Sequence, residues 1–333
     1  MPSLFRSARS TAQLLLLSAG IAVTSQAQEN LGWSRDPTKI VGSETCQECH
    51  KAATAVWDRT LHHATYINMP QSDKALAIAA KMGIEALDLT TSAKCSQCHF
   101  TVKSAGSKPK AISGISCESC HGAAGNWLKM HLDQKVDKAA RLADAATKGM
   151  NRPGDLYSLF KNCLECHTAP DEDLVNKGGH SAGSNFELLA WSQGEVRHTF
   201  NLKETANLMP GKEKSRLLFV LGRALELEYA LRGVTKIKDT SGPYAKAMIG
   251  RMQISLQYLQ QINQAVGGNH PGISGIVAAV GNNVTLETAG TVADSVKKAT
   301  QEFLAKFDGS DLAALDQYLP AKMKGDPAPY RPR

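Results

Sequence analysis

The sequence predicts a mainly α-helical protein with little regular sheet, followed by an α-helical bundle. Three observations carry that expectation. Apolar residues beyond position 215 recur at three- and four-residue steps, which places them on one face of a helix. No stretch sustains the two-residue alternation of a half-buried strand. Glycine- and serine-rich stretches such as SAGSKP at 104–109 separate short helical signals.

A chain of 333 residues is long enough for one large or two ordinary domains. Residues 1–27 read as a signal peptide. Arg6 and Arg9 form its basic start, 14–23 an apolar run too short to span a bilayer, and Ser25 and Ala27 the small residues of a cleavage site. A soluble, exported chain beginning near Gln28 is expected. Residues 28–205 hold every cysteine and tryptophan, with helix signals at 51–67, 73–87, 125–147 and 154–162. NLMPGKEK at 207–214 reads as a turn-like linker.

The bundle is expected over 212–323. Its first stripe is Leu218, Leu221, Leu225 and Tyr229, ending at Gly233. A second helix starts at Pro243, whose ring suits a first helical turn, and carries Met248, Met252, Leu256, Leu259 and Ile262. A third stripe runs Val292, Val296, Ala299, Phe303 and Phe307, and SDLAALDQYL is a short last helix. Such stripes are packed core. LLFVLGRALELEYALRG at 217–233 carries too many charges to cross a bilayer. Residues 324–333 read as a flexible tail.

CQECH at 46–50, CSQCH at 95–99, CESCH at 117–121 and CLECH at 163–167 account for all eight cysteines. An even count in an exported chain fits a disulfide framework. Disulfides, however, place no demand on a histidine directly behind each pair. Structural zinc sites join CxxC to a second CxxC or to spaced histidines, not to an immediate neighbour. CxxCH is the attachment pattern of c-type haem. Cys46 and Cys49, Cys95 and Cys98, Cys117 and Cys120, and Cys163 and Cys166 are therefore expected to hold four covalent haems through thioether bonds. His50, His99, His121 and His167 are the expected proximal iron ligands.

The formal charge of +7 includes Arg6 and Arg9 of the leader. Each ferric haem with two ionised propionates adds about −1. The loaded, mature protein is thus near neutral, and the basic balance implies neither a nucleic-acid nor a membrane partner.

Six histidines lie outside the motifs: His62, His63, His131, His180, His198 and His270. A second imidazole gives a six-coordinate iron that passes electrons, whereas an open position binds small molecules. His62 follows His50 by twelve residues, His131 follows His121 by ten, and His180 follows His167 by thirteen. Ten to thirteen helical residues advance roughly 15–20 Å. Each is therefore expected to serve a neighbouring haem and so lock segments together. No such histidine lies between His99 and the next motif.

His62, in VWDRTLHHATY, is expected on an amphipathic helix with Trp57 and Leu61 on the inner side, and its neighbour His63 toward solvent. His131, His180 in a glycine-rich turn and His198 between aromatic residues are the other candidate ligands. His270 in GGNHPG reads as an exposed turn residue. Met69, Met130 and Met150 have no distinguishing context.

The spacing from Cys46 to His62 through Trp57, and GISCESCHG with His131 behind it, resemble the tetrahaem cytochromes of the c-554 type over roughly residues 40–200. That resemblance implies a periplasmic, mainly helical electron carrier with redox-protein donor and acceptor. It implies His62 as distal ligand of the His167 haem and His131 of the His50 haem. It leaves the His99 haem five-coordinate, and the His121 haem takes His180 or His198. Two departures stand out. His180 and His198 compete where the family needs one, which leaves two alternatives for the His99 haem: closed by the surplus histidine, or five-coordinate. The helical region beyond residue 210 has no counterpart in the family pattern.

The leading expectation is an electron-transfer protein. The rival is a reductase or oxidase of a small nitrogen or sulfur compound at an open His99 haem, for which CHFTVKSAG offers only Lys103 as a local proton donor. A third reading gives the bundle the task of docking a partner. The exported protein should begin near Gln28 by N-terminal sequencing, and its intact mass should exceed the polypeptide by four porphyrin additions. A mass equal to the disulfide-linked polypeptide alone would refute the attachment.

Overall fold

The computed structural model describes residues 36–106, 108–200 and 206–325, which lie in one compact unit. The leader read at 1–27 and the tail beyond 325 fall outside the described residues.

Capping residues and glycines keep the helices of the cysteine-bearing half short. Ser43–Gln47 (α1) and Lys51–Trp57 (α2) flank the first motif. The one helix expected over 51–67 is two. Thr60 leaves the helical backbone region, its hydroxyl accepts from the His63 amide, and Leu61–Asn68 (α3) begins anew. Trp57 does face inward, its indole N–H donating to the Ile115 carbonyl at 2.7 Å. Leu61, expected beside it, is instead 67% exposed, because the break turns it away. His63 is not solvent-facing either. It is half-buried against Trp57, 4.5 Å between ring centroids, with Nδ1 2.8 Å from the Asp58 carbonyl oxygen.

Asp73–Lys81 (α4) is capped by Ser72 and stops short of its expected end at 87, because Gly83 takes a φ of +69° that only glycine adopts freely. Ala93–His99 (α5) carries the second motif. Thr101–Ala105 (β1) and Lys108–Ser113 (β2) then pair antiparallel where SAGSKP was expected as a loop. Residues 108–110 are exposed on both faces, so no apolar alternation marks the strand.

Cys117–His121 (α6), Leu128–Leu132 (α7) and Lys138–Thr147 (α8) follow. The helix expected over 125–147 is cut before Asp137, whose carboxylate accepts from the Ala139 and Ala140 amides and starts α8. Leu156–His167 (α9), capped by Asp155, runs past its expected end at 162 and carries the fourth motif. Glu172–Asn176 (α10) and Leu188–Ser192 (α11) complete this half.

Lys212–Val234 (α12), Pro243–Ala265 (α13), Pro271–Ala278 (α14) and Ala289–Lys306 (α15) form the bundle, closed by a 3-10 segment at Ser310–Tyr318. α12 begins inside the stretch read as linker. It is buried on nearly every side rather than along one stripe, with Leu218, Val220, Leu221, Leu225 and Leu227 all sealed from solvent. α14 was not anticipated, and with it the reading of His270 changes. That residue is 7% exposed, not an open turn residue. Its Nδ1 accepts from the Ile273 amide to cap α14, its Nε2 lies 3.0 Å from the Asp311 carboxylate, and its ring packs on Phe307. Pro271 needs no N–H partner at the first turn, which leaves the imidazole free to cap.

One apolar core unites α12, α13, α14 and α15 with Tyr157 and Leu164 of α9, Val175 of α10 and Leu188 and Leu189 of α11. Elsewhere in the cysteine-bearing half the buried side chains form two small clusters, around Leu89 and Phe100 and around Trp127 and Ala145. Those clusters are small for the length of chain they serve. No described helix is long and apolar enough to cross a membrane. Leu225→Ala at the centre of α12 should cost about 2–5 kcal/mol, read as a lowered denaturation midpoint.

Candidate metal centres

Every motif sits on a helical turn, which sets the two thiols of a pair on one side. CESCH forms α6 itself, where Ser116 and Ser119 exchange a capping box, while CSQCH and CLECH end α5 and α9. In CQECH the His50 amide donates to the Cys46 carbonyl at 2.9 Å, closing the same kind of turn. None of the eight cysteines is in a disulfide.

Each motif histidine faces a histidine from outside the motifs. His50 stands 6.1 Å from His131 between ring centroids, His167 6.3 Å from His62, His99 6.2 Å from His180, and His121 6.1 Å from His198. No motif histidine faces the histidine that follows it at short range in sequence. The resemblance left His99 without a partner, but in this chain the turn at 177–183 brings His180 opposite it. The surplus histidine thus has a place, and His198 is the one opposite His121. The ring planes differ from pair to pair, from 29° for His50 and His131 to 80° for His121 and His198.

Those separations fit a metal between two imidazoles. With metal–nitrogen bonds of about 2.0–2.1 Å and each nitrogen about 1.1 Å from its ring centre, two axial imidazoles stand about 6.3 Å apart. Two nitrogens alone make a poor cage, and among the described residues no group of three or more His, Cys, Asp or Glu could hold a bare ion. An iron here must bring its own equatorial donors, as a porphyrin does.

Outer contacts set which ring nitrogen is available. Nδ1 of His121 lies 3.1 Å from the Asn151 carbonyl, that of His180 2.8 Å from the Ser181 carbonyl, and that of His198 2.7 Å from the Val196 carbonyl. A carbonyl accepts only, so each Nδ1 is the protonated nitrogen and Nε2 keeps its lone pair for a metal. His167 Nδ1 meets the Ser184 hydroxyl at 2.8 Å, and Phe186 stacks on its ring at 4.3 Å. Desolvation, reinforced by neighbouring imidazoles, pushes His99, His121 and His167 down to about 4, so all three are neutral at pH 7. Neutral imidazole is the ligating form.

The segments that carry these rings are knotted together. Glu118, inside the third motif and 1% exposed, accepts from the amides of Val41, Gly42 and Ala124 at 2.8–3.0 Å, which pins the approach to the first motif. The Ile115 amide donates to the His62 carbonyl at 3.0 Å. A Cβ on Gly114 would lie 2.1 Å from that carbonyl oxygen, so only glycine lets the two backbones meet. Arg251 of α13 donates to the Ala182 and Ser184 carbonyls behind His167. Lys103, the proton donor the enzymatic reading needed, is held by the Val41 carbonyl at 3.0 Å.

Contacts between motifs set an order in space. The Cys46 and Cys117 thiols hydrogen-bond, Cys163 lies within electrostatic range of Cys120, and Cys166 Sγ is 4.0 Å from the carbonyl of Gln97. The motifs therefore follow one another as first, third, fourth, second. Asn151, Ser184, Phe186, Arg251 and Glu118 all support the rings, and none carried a sequence signal, because such contacts come from residues distant in the chain.

Thiol pairs on helical turns, each backed by an imidazole with a second imidazole across a metal-wide gap, define a c-type cytochrome, whose cofactor is covalently bound haem. Residues 45–122 match the family described as Cytochrome c554 and c-prime. Cytochrome c-554 of Nitrosomonas europaea is 29% identical over 141 residues, which is 38% of this chain and 56% of that relative. The match thus spans little more than half the relative's length. No solved structure matches the chain. Residues 45–122, which hold the first three motifs, are thus similar to the cytochrome c554 family.

Gly114→Ala should displace the His62 carbonyl and lower stability by about 1–3 kcal/mol, as overpacking does. A denaturant titration reads the shift, and unchanged stability would mean that the close approach is dispensable.

Proposed function

We propose that the protein is an exported tetrahaem cytochrome that carries electrons between redox partners, with two histidines on every iron. The observation that carries the reading is the four facing imidazole pairs. His50 and His131, His62 and His167, His99 and His180, and His121 and His198 are the proposed axial ligands. Cys46, Cys49, Cys95, Cys98, Cys117, Cys120, Cys163 and Cys166 are the proposed thioether positions. Bound at these sites, iron porphyrins supply one-electron couples.

The work of the chain is to hold, orient and screen. Motif helices hold the thiol pairs, the carbonyls at Asn151, Ser181 and Val196 keep Nε2 free, and the backbone knot at Glu118 keeps neighbouring attachment points in contact order. With His180 opposite His99, this reading places a second imidazole where a substrate would have to bind, and Lys103 is already engaged. This favours a carrier over a reductase or oxidase. The leader pattern at 1–27 supports a periplasmic location. The division into 28–205 and 212–323 remains part of this proposal, the first holding the haems and the second bracing the fourth motif.

Carbon monoxide tests the ligand set. The reduced wild-type protein should show no spectral shift, whereas His180→Ala should gain one carbon monoxide site. Binding by the wild type would overturn the proposal.

A further inference from the structure

Two motifs carry glutamate at the position just before the second cysteine: Glu48 in CQECH and Glu165 in CLECH. Their surroundings are opposite. Glu48 is exposed, whereas Glu165 is 4% exposed. Tyr157, Lys161 and Glu165 recur every four residues on α9 and so share one face. That face meets α12. Glu165 Oε1 accepts from Lys161 Nζ at 2.9 Å and from the Tyr229 hydroxyl of α12 at 3.1 Å. Its other oxygen, Oε2, is buried without a hydrogen-bond partner among the described residues. One turn along, Tyr157 donates to buried Glu228, which also accepts from Arg232.

A buried carboxylate held by one lysine and one hydroxyl is an incompletely balanced charge, and protein around it screens far less than water does. It lies one residue from a proposed thioether position and two from His167. An anion there favours the oxidised, more positive state of an iron held by that motif. We infer that Glu165, clamped by Tyr229 of the C-terminal bundle, sets the reduction potential of the fourth-motif haem, holding it lower than the motif alone would. The bundle then has an electronic task beyond packing: α12 dries the site and supplies the hydroxyl that moderates the charge. This rests on the ligand reading above and adds to it a tuning residue and a role for the bundle.

The test is a potentiometric titration of the loaded, full-length protein, with electron paramagnetic resonance resolving the couples. Glu165→Gln keeps the shape and removes the charge. It should raise one couple, by on the order of tenfold in its one-electron equilibrium, equivalent to 59 mV. Tyr229→Phe and Lys161→Met leave the carboxylate less balanced and should move the same couple the other way. Glu48→Gln, at the matching but solvated position, should shift its couple less than about twofold, because water screens it. Opposite signs from the charge and its partners are not what mere loosening of the fold gives. If Glu165→Gln fails to accumulate, Tyr229→Phe and Lys161→Met decide the matter, since both should lower that couple. Couples that stay put in protein carrying four porphyrins overturn this inference alone, whereas wild-type protein without porphyrin mass overturns the ligand reading beneath it.

Discussion

Two imidazoles brought to a metal's width from each other, four times over, are the constraint on which the rest of this structure depends. A ring that arrives protonated, or with the wrong nitrogen forward, is no ligand. Desolvation deals with the first problem, pushing His99, His121 and His167 down to about 4. Backbone carbonyls deal with the second, by accepting the hydrogen bond of Nδ1–H in His121, His180 and His198. The third requirement is that residues as far apart in sequence as His62 and His167 meet. Most of the irregular architecture answers it.

Backbone knots do that work more than apolar packing. The cysteine-bearing half buries only two small clusters of its own, yet Glu118 ties three amides from two separate segments and Gly114 lets the hairpin's end touch the backbone of α3. A buried carboxylate costs free energy unless its hydrogen bonds are supplied, and at Glu118 they are. The fourth motif is supported differently. It ends α9, which shares the bundle's core through Tyr157 and Leu164, while Arg251 grips the loop behind His167. The bundle thus bears directly on a proposed metal centre.

The family match covers residues 45–122, the first three motifs, and stops before His131, His180 and His198. The histidines facing three of the four motif histidines therefore come from chain beyond the matched segment. The His99 pairing departs from what the resemblance implied, and it depends on the turn that carries His180. That turn is fixed at its base by the His180 amide donating to the Leu174 carbonyl at 3.1 Å.

Chemistry that is local in the chain was legible in the sequence. A thiol pair two residues apart with histidine behind it is one helical turn wide, so the four proposed attachment sites and their motif histidines could be named from spacing alone. The bundle stripes were legible for the same reason, because a 3.6-residue period needs no distant partner to be seen. Helix ends were less so: Thr60, Gly83 and Asp137 cut expected helices through capping and turn geometry that an apolar pattern overrides on paper. The resemblance already implied that His62 faces His167 and His131 faces His50, whereas the placement of His180 and His198, the burial of His270 and the seam at Glu165 belonged to tertiary structure alone. Each depends on which backbone arrives opposite a given side chain, and spacing along the sequence does not encode that.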